Sequence, residues 1–293
     1  MISSELLRIR YSLTTRVVLA ILVAEALFVG LLVAFLPSLI DGLIALNKVI
    51  PNATSADRLS EEQLAALTLA SPQIQTLIAD ILGNTGVGTS LPVIAATLFG
   101  ALAITGEFRR GSIINAVLNQ PIRPRLILAK ATAIIATSVA AAILLIVVQG
   151  GILGLGLIVQ NVPLLINVTA LLSMWGRGIA ALILYALLGM GIGLLVRNQV
   201  ATISAVFAAI VIESIVRPLA LLIFEAGNPT LYLPFGLGPD LIASTPLSAL
   251  GADVQLSAGI SAPAAMVTLA LWACAMLAVA TARFTRTDIP VHG

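Results

Sequence analysis

GEFRRGSIINAVLNQPIRPRLILAK, residues Gly106 to Lys130, is a compact polar stretch between two long apolar runs, and it concentrates Arg109, Arg110, Arg123, Arg125 and Lys130. LPVIAATLFGALAIT precedes it and ATAIIATSVAAAILLIVVQGG follows it. Runs of about 20 apolar residues are long enough to cross a bilayer as helices. The stretch between two such runs is therefore predicted to be a short helix of about ten residues on the membrane surface, within reach of a soluble partner. Glu107 stands at its start, where a carboxylate complements a helix N-terminus, and Pro121 and Pro124 end it before the next span. Arginines in an ordinary loop of this kind bind lipid phosphates. Here Phe108, Ile113, Ile114, Val117 and Leu118 are interleaved with them, and such a face suits a protein groove better than water.

Working outward, composition makes lipid the solvent for most of the chain. Of its 293 residues 59% are hydrophobic and 10% charged, with a mean hydropathy of +1.11. A soluble globular domain has about 45–50% apolar and about 25% charged residues. Spans are expected near 17–36, 87–106, 130–158, 177–196, 200–222 and 263–282. The fold class is thus all-α, a single six-span membrane domain over 1–293. GGILGLGLIV (Gly150 to Val159) prolongs the third span, and PLLINVTALLSMW (Pro163 to Trp175) suggests a half-inserted helix before the fourth. The start, MISSELLRIRYSLTTR, carries Arg8, Arg10 and Arg16 ahead of an apolar run too long for a signal-peptide core, so an uncleaved first span is expected.

Orientation follows from the lysines and arginines. With the N-terminus inside, one face collects Arg8, Arg10, Arg16, Arg109, Arg110, Arg123, Arg125, Lys130, Arg197, Arg283 and Arg286. Lys48, Arg58, Arg177 and Arg217 remain for the other face or the membrane, and that face also holds Asp41, Asp57, Glu61, Glu62, Asp80, Glu225, Asp240 and Asp253. The positive-inside rule then puts both termini and the Arg109 loop in the cytoplasm. A net charge of +2 and a pI near 9.0 report this orientation and give no sign of nucleic-acid binding. Outside the spans, segment 37–86 contains RLSEEQLAALTLA and PQIQTLIADIL, with Ser60 as an N-cap, and is expected to hold a surface-lying amphipathic helix. Segment 226–262, with NPTLYLPFGLGPDLIASTP, is expected to be ordered loop or short re-entrant pieces.

Ionisable residues inside spans cost about 2.5–3.5 kcal/mol each on insertion scales and are functional candidates by default. Glu25 lies in the first span; Glu213 and Arg217 lie four apart in the fifth, in the favourable order for a helical ion pair. They are either a self-neutralising structural pair or a polar patch on a translocation path. Glu25 is either a partner in an interhelical hydrogen bond or ion pair, or a functional group. Glycines cluster at Gly150, Gly151, Gly154 and Gly156 and at Gly189, Gly191 and Gly193, where small residues let helices approach within the chain or across a dimer seam.

The loop resembles the pattern G-E-x-R-x-G-T-x-x-x-x-L-x-x-P-x-x-R-x-x-x-x-x-K of bacterial ABC type-2 permeases, the six-span membrane subunits of ATP-driven exporters. Gly106, Glu107, Arg109, Gly111, Leu118, Pro121 and Lys130 match, Ser112 stands where threonine is commoner, and Arg123 or Arg125 fills the basic position. ELLRIRYSLTTR is similar to the family's interfacial elbow helix (1–16). The resemblance implies that 107–120 is a coupling helix, with Glu107, Phe108, Arg109, Arg110, Gly111, Ser112 and Ile113 seated in a cleft of a nucleotide-binding subunit. It further implies a dimer of permeases, identical or paralogous, whose second and fifth spans line the substrate path, in a bacterial-type plasma membrane.

The chain cannot supply the ATPase itself. A P-loop needs G-x-x-x-x-G-K-[ST], and the lysines, Lys48 and Lys130, are followed by Val49 and Ala131. ATP and Mg would be bound by the partner ATPase, with no cofactor or metal in this chain. A membrane enzyme is disfavoured because the only histidine, His292, lies in the C-terminal tail and the only cysteine, Cys274, lies in the last apolar segment. The alternatives are an ion-coupled secondary transporter using Glu25 and Glu213, against which no inverted repeat is visible, and a structural anchor for a cytoplasmic partner.

Overall fold

The structure, a computed structural model, describes residues 12–47, 68–83, 89–111, 123–223, 228–242 and 260–286. The helices are α1 (Leu13–Asn47), α2 (Pro72–Ala79), α3 (Leu91–Arg109), α4 (Arg123–Gln160), α5 (Val168–Val196), α6 (Gln199–Ile223), α7 (Gly238–Ile242) and α8 (Ala262–Arg286). Two 3-10 turns, Pro229–Tyr232 and Pro234–Gly236, precede α7. Among the described residues there is no strand, and α1, α3, α4, α5, α6 and α8 are long and apolar enough to cross a membrane. A helix closes all its backbone hydrogen bonds within one segment, as lipid requires of a spanning element. Span hydroxyls obey the same constraint: Thr97, Thr105 and Thr202, all fully buried, donate to the carbonyls of Val93, Ala101 and Asn198 one turn back.

The six expected spans are present, with ends that differ for local reasons. The third expected span is part of the 38-residue α4, which at 1.5 Å per residue is roughly 57 Å long and exceeds a hydrocarbon layer of about 30 Å. Its start absorbs Pro124, which suits a first turn because no N–H is needed there. The glycines of GGILGLGLIV do not break it, and it stops at Asn161, in a left-handed conformation (φ 53°) with Val162 N–H bonded back to Leu157 O. The separate half-inserted helix is corrected. Val168 to Trp175 form the first turns of α5, begun by Asn167, whose side chain accepts from Thr169 N–H. Leu13 to Arg16 of the expected elbow are the first turn of α1, while residues 1–11 lie outside the described residues.

Burial separates two central helices from four peripheral ones. The apolar windows of α3 and α5 are 61% and 56% buried inside the chain, against 22–28% for α1, α4, α6 and α8. Glycine makes that centre. A β-carbon on Gly100 would overlap the Ala186 carbonyl, and one on Gly189 would overlap the Thr97 carbonyl, so the backbones of α3 and α5 touch. Gly193 meets α3 at Ala101, and Gly191 packs on Met276 of α8. The second glycine cluster is therefore intrachain packing. In the first cluster Gly150 faces Trp175 and Gly156 faces Leu69, whereas Gly151 and Gly154 face open space.

The segment between α1 and α3 departs from expectation. Ser60, Glu61 and Glu62 lie outside the described residues, but PQIQTLIADIL is present as α2. This helix is not surface-lying: Ile74, Gln75, Ile78 and Ala79 are buried, and it packs on α1 and α4. Gln75, fully buried, donates to Leu69 O (2.9 Å) and Pro163 O (3.0 Å) and accepts from Leu165 N–H (2.8 Å). That amide ties α2 to the α4–α5 connection.

Candidate functional site

The bundle has two chemically distinct ends. At the arginine end the C-termini of α3, α5 and α8 meet the N-terminus of α4. Glu107 and Lys130, each 4% exposed, form an ion pair with Nζ 2.6 Å from both carboxylate oxygens. A buried pair is held by mutual attraction that offsets desolvation only while both partners are present. The role of Glu107 as the first residue of a separate helix is thus corrected: it belongs to the last turn of α3 and links α3 to α4.

Two residues on, α3 stops. Arg110 N–H bonds to Gly106 O, Gly111 N–H to Phe108 O, and Gly111 adopts φ 65°, a left-handed conformation that glycine reaches without steric cost. A single helix over 107–120 is therefore interrupted at its start, while Ser112, Ile113 and the remainder to residue 122 lie outside the described residues. Phe108 packs inward, edge-on to Phe284 of α8 with centroids 6.4 Å apart at 78°. The Arg197 guanidinium lies 6.0 Å from the Phe108 centroid and 5.9 Å from that of Phe284, within cation–π range. Arg197 terminates α5 in a left-handed conformation (φ 58°), and Asn198 caps α6 by accepting from Ala201 N–H. Arg109 and Arg110 remain exposed beside this fixed cluster.

At the opposite end, residues 228–242 are clamped from four directions. Tyr185 of α5, fully buried, donates to Pro234 O (2.7 Å), and Arg177 of α5 to Ile242 O (3.2 Å). Trp272 of α8 donates to Tyr232 O (2.9 Å), and Thr89, just before α3, to Phe235 O (3.2 Å). From α6, the Glu213 carboxylate accepts from the N–H groups of Phe235 (3.0 Å) and Gly236, while Arg217 pairs with Asp240 (3.3 Å). The expected ion pair of Glu213 with Arg217 is corrected. Each binds the 228–242 segment instead, because two backbone donors and a carboxylate there satisfy both charges. Burial pushes the Asp240 carboxyl above the usual carboxylate range, opposed by Arg217 and by Ile260 N–H. The Arg217 guanidinium lies close against Gly236, so a β-carbon there would push that side chain aside.

Glu25 stands apart from both ends' networks. Its Oε2 is buried without a hydrogen bond, as is Oε1 of Gln149, and both side chains line a void of about 10 Å³ with Asp80 and Gly83.

No protein-family model and no curated protein matches this chain. What the six apolar helices carry is a multi-pass membrane protein of a form that fits a transporter in general.

With Glu25 apart at its void, and Ser112 and Ile113 outside the described residues, the other expected site residues divide into three groups. Glu107 and Phe108 are built into the helix junction, Arg109 to Gly111 lie exposed at its surface, and Glu213 and Arg217 anchor the far loop. Gln75, Tyr185, Arg177, Trp272 and the partnership of Glu107 with Lys130 escaped the sequence. A lone amide or aromatic hydroxyl inside an apolar run was the available signal, since in lipid such a group needs a partner.

Proposed function

We propose that the chain is the permease subunit of an ATP-driven exporter, worked by a separate ATPase that grips the surface formed by Arg109, Arg110, Gly111 and the residues following. The observation that carries this is the junction beneath those arginines. Glu107 with Lys130 fixes α3 to α4, and Arg197 with Phe108 and Phe284 ties in α5 and α8. A push at Arg109 and Arg110 therefore moves α3 and α5, the central helices, as one body. The loop resemblance supports the same assignment. ATP and Mg belong to the ATPase, which closes on nucleotide and drives alternating access. A second permease copy would pack against α6, whose Phe207, Val211, Ile215 and Leu219 form an exposed apolar stripe at helical spacing.

The test is gentle purification from the native membrane with identification of associated proteins, repeated with Arg109→Glu and Arg110→Glu together. A P-loop ATPase present in the first preparation and absent from the second is the expected result. Association and transport intact in the double variant would overturn the assignment. Ion coupling is the second reading, and it now rests on Glu25, because Glu213 is held by two backbone donors whereas Oε2 of Glu25 has no bond. Flux that persists without ATP but stops when the proton gradient collapses would favour it.

A further inference from the structure

Between α1, α3, α4 and α5 lies a cavity of about 630 Å³, inside the range of about 300–1,000 Å³ usual for ligand sites. Its walls include Leu19, Leu22, Phe99, Ala140, Ala141 and Leu182, and its polar residues are Thr15, Arg16, Thr137 and Ser138. Thr137 already donates to Ala133 O within its own helix, so its hydroxyl makes no demand on an occupant. A second cleft, about 80 Å³, shares Thr15 and Phe99 with the cavity and opens onto Arg109 and Arg110. A largely apolar chamber, with Arg16 in its lining, thus adjoins a small polar cleft lined by Arg109, Arg110 and the carboxylate of Glu107, which Lys130 pairs, at the arginine end of the bundle.

We propose that the two form a binding site for an anionic lipid of the adjacent leaflet, with an acyl chain in the cavity and the phosphate or carboxylate head against Arg109 and Arg110. The apolar wall accepts a hydrocarbon chain that leaves an equally apolar micelle or leaflet, so van der Waals packing rather than dehydration holds it there. Charge complementarity selects the head: a guanidinium near a membrane surface favours an anionic lipid about fivefold, and it binds phosphate or carboxylate oxygens in pairs. A zwitterionic head offers no such gain. The site does not depend on the chain being an ATP-driven permease.

Binding of 1-oleoyl-lysophosphatidylglycerol, 1-oleoyl-lysophosphatidylcholine and inorganic phosphate to the purified full-length protein in neutral detergent, measured by native mass spectrometry, tests it. One lysophosphatidylglycerol per chain is expected, bound about tenfold or more tightly than its choline counterpart, with no retention of phosphate. Arg109→Gln with Arg110→Gln should erase the preference, because both side chains are exposed and their loss leaves the fold intact. Ala140→Trp, at a position exposed to the cavity, should abolish binding of both lysolipids, and Ala136→Leu serves if the tryptophan variant fails to accumulate. Equal affinity for the two lysolipids, phosphate bound as tightly as lysophosphatidylglycerol, or binding unchanged by filling the cavity would each overturn the proposal.

Discussion

At the scale of single residues, burial decides what a charge can do. Glu107 and Lys130 sit in a nearly water-free junction, so each neutralises the other and neither can be removed alone. Glu107→Met or Lys130→Met should each cost about 3–5 kcal/mol, because an uncompensated charge stays behind, whereas the double variant should recover most of that loss. Thermal unfolding of the three variants in one detergent checks this, and a double variant as unstable as the singles would show that the pair is not the source. The partnership was not legible from local sequence. A carboxylate just past an apolar run reads as the start of a new helix, and its true partner lies 23 residues on. Glu213 and Arg217 misled for the converse reason. Their i, i+4 spacing is favourable on an isolated helix, but two backbone N–H groups and Asp240 compete for them once the far loop is folded.

At the scale of elements, α3 and α5 cross so closely that glycine at the contact is a steric necessity. Gly189→Leu should prevent accumulation of folded protein, since its side chain would occupy the space of the Thr97 carbonyl, while Gly154→Leu should leave stability within about 0.5 kcal/mol because nothing lies within 4 Å of that position. Expression and unfolding temperature of the two variants decide the matter. Equal tolerance of both would contradict the backbone contact. Both glycines belong to clusters visible in the sequence, and pattern alone could not say which cluster packs within the chain. The spans themselves were legible because about 20 consecutive apolar residues form a long, redundant signal. Helix ends were less so. They depend on caps such as Asn167 and left-handed stops such as Asn161 and Gly111, where one residue decides the boundary. For α2, the apolar spacing revealed the helix but not that Gln75 would be buried beneath it, since a buried amide needs acceptors that only the assembled α4–α5 connection provides.

At the scale of the whole molecule, charge separates the two ends of the bundle. Arg16, Arg109, Arg110, Arg125, Arg197, Arg283 and Arg286 lie at the end where α1 and α4 begin and α3, α5 and α8 finish. The described arginines elsewhere, Arg177 and Arg217, are spoken for by Ile242 O and Asp240. The positive-inside rule therefore predicts that the arginine end faces the cytoplasm. Cys274 is the chain's only cysteine, so a Cys274→Ala background carries single cysteines cleanly. Leu164→Cys, on the α4–α5 connection and 41% exposed, should react with a membrane-impermeant maleimide in intact spheroplasts, and Arg110→Cys should not. Inverted vesicles should reverse the pattern. Reaction of Arg110→Cys from outside would place the exposed arginines where no cytoplasmic ATPase can reach them, and would remove the ATP-driven reading together with the orientation.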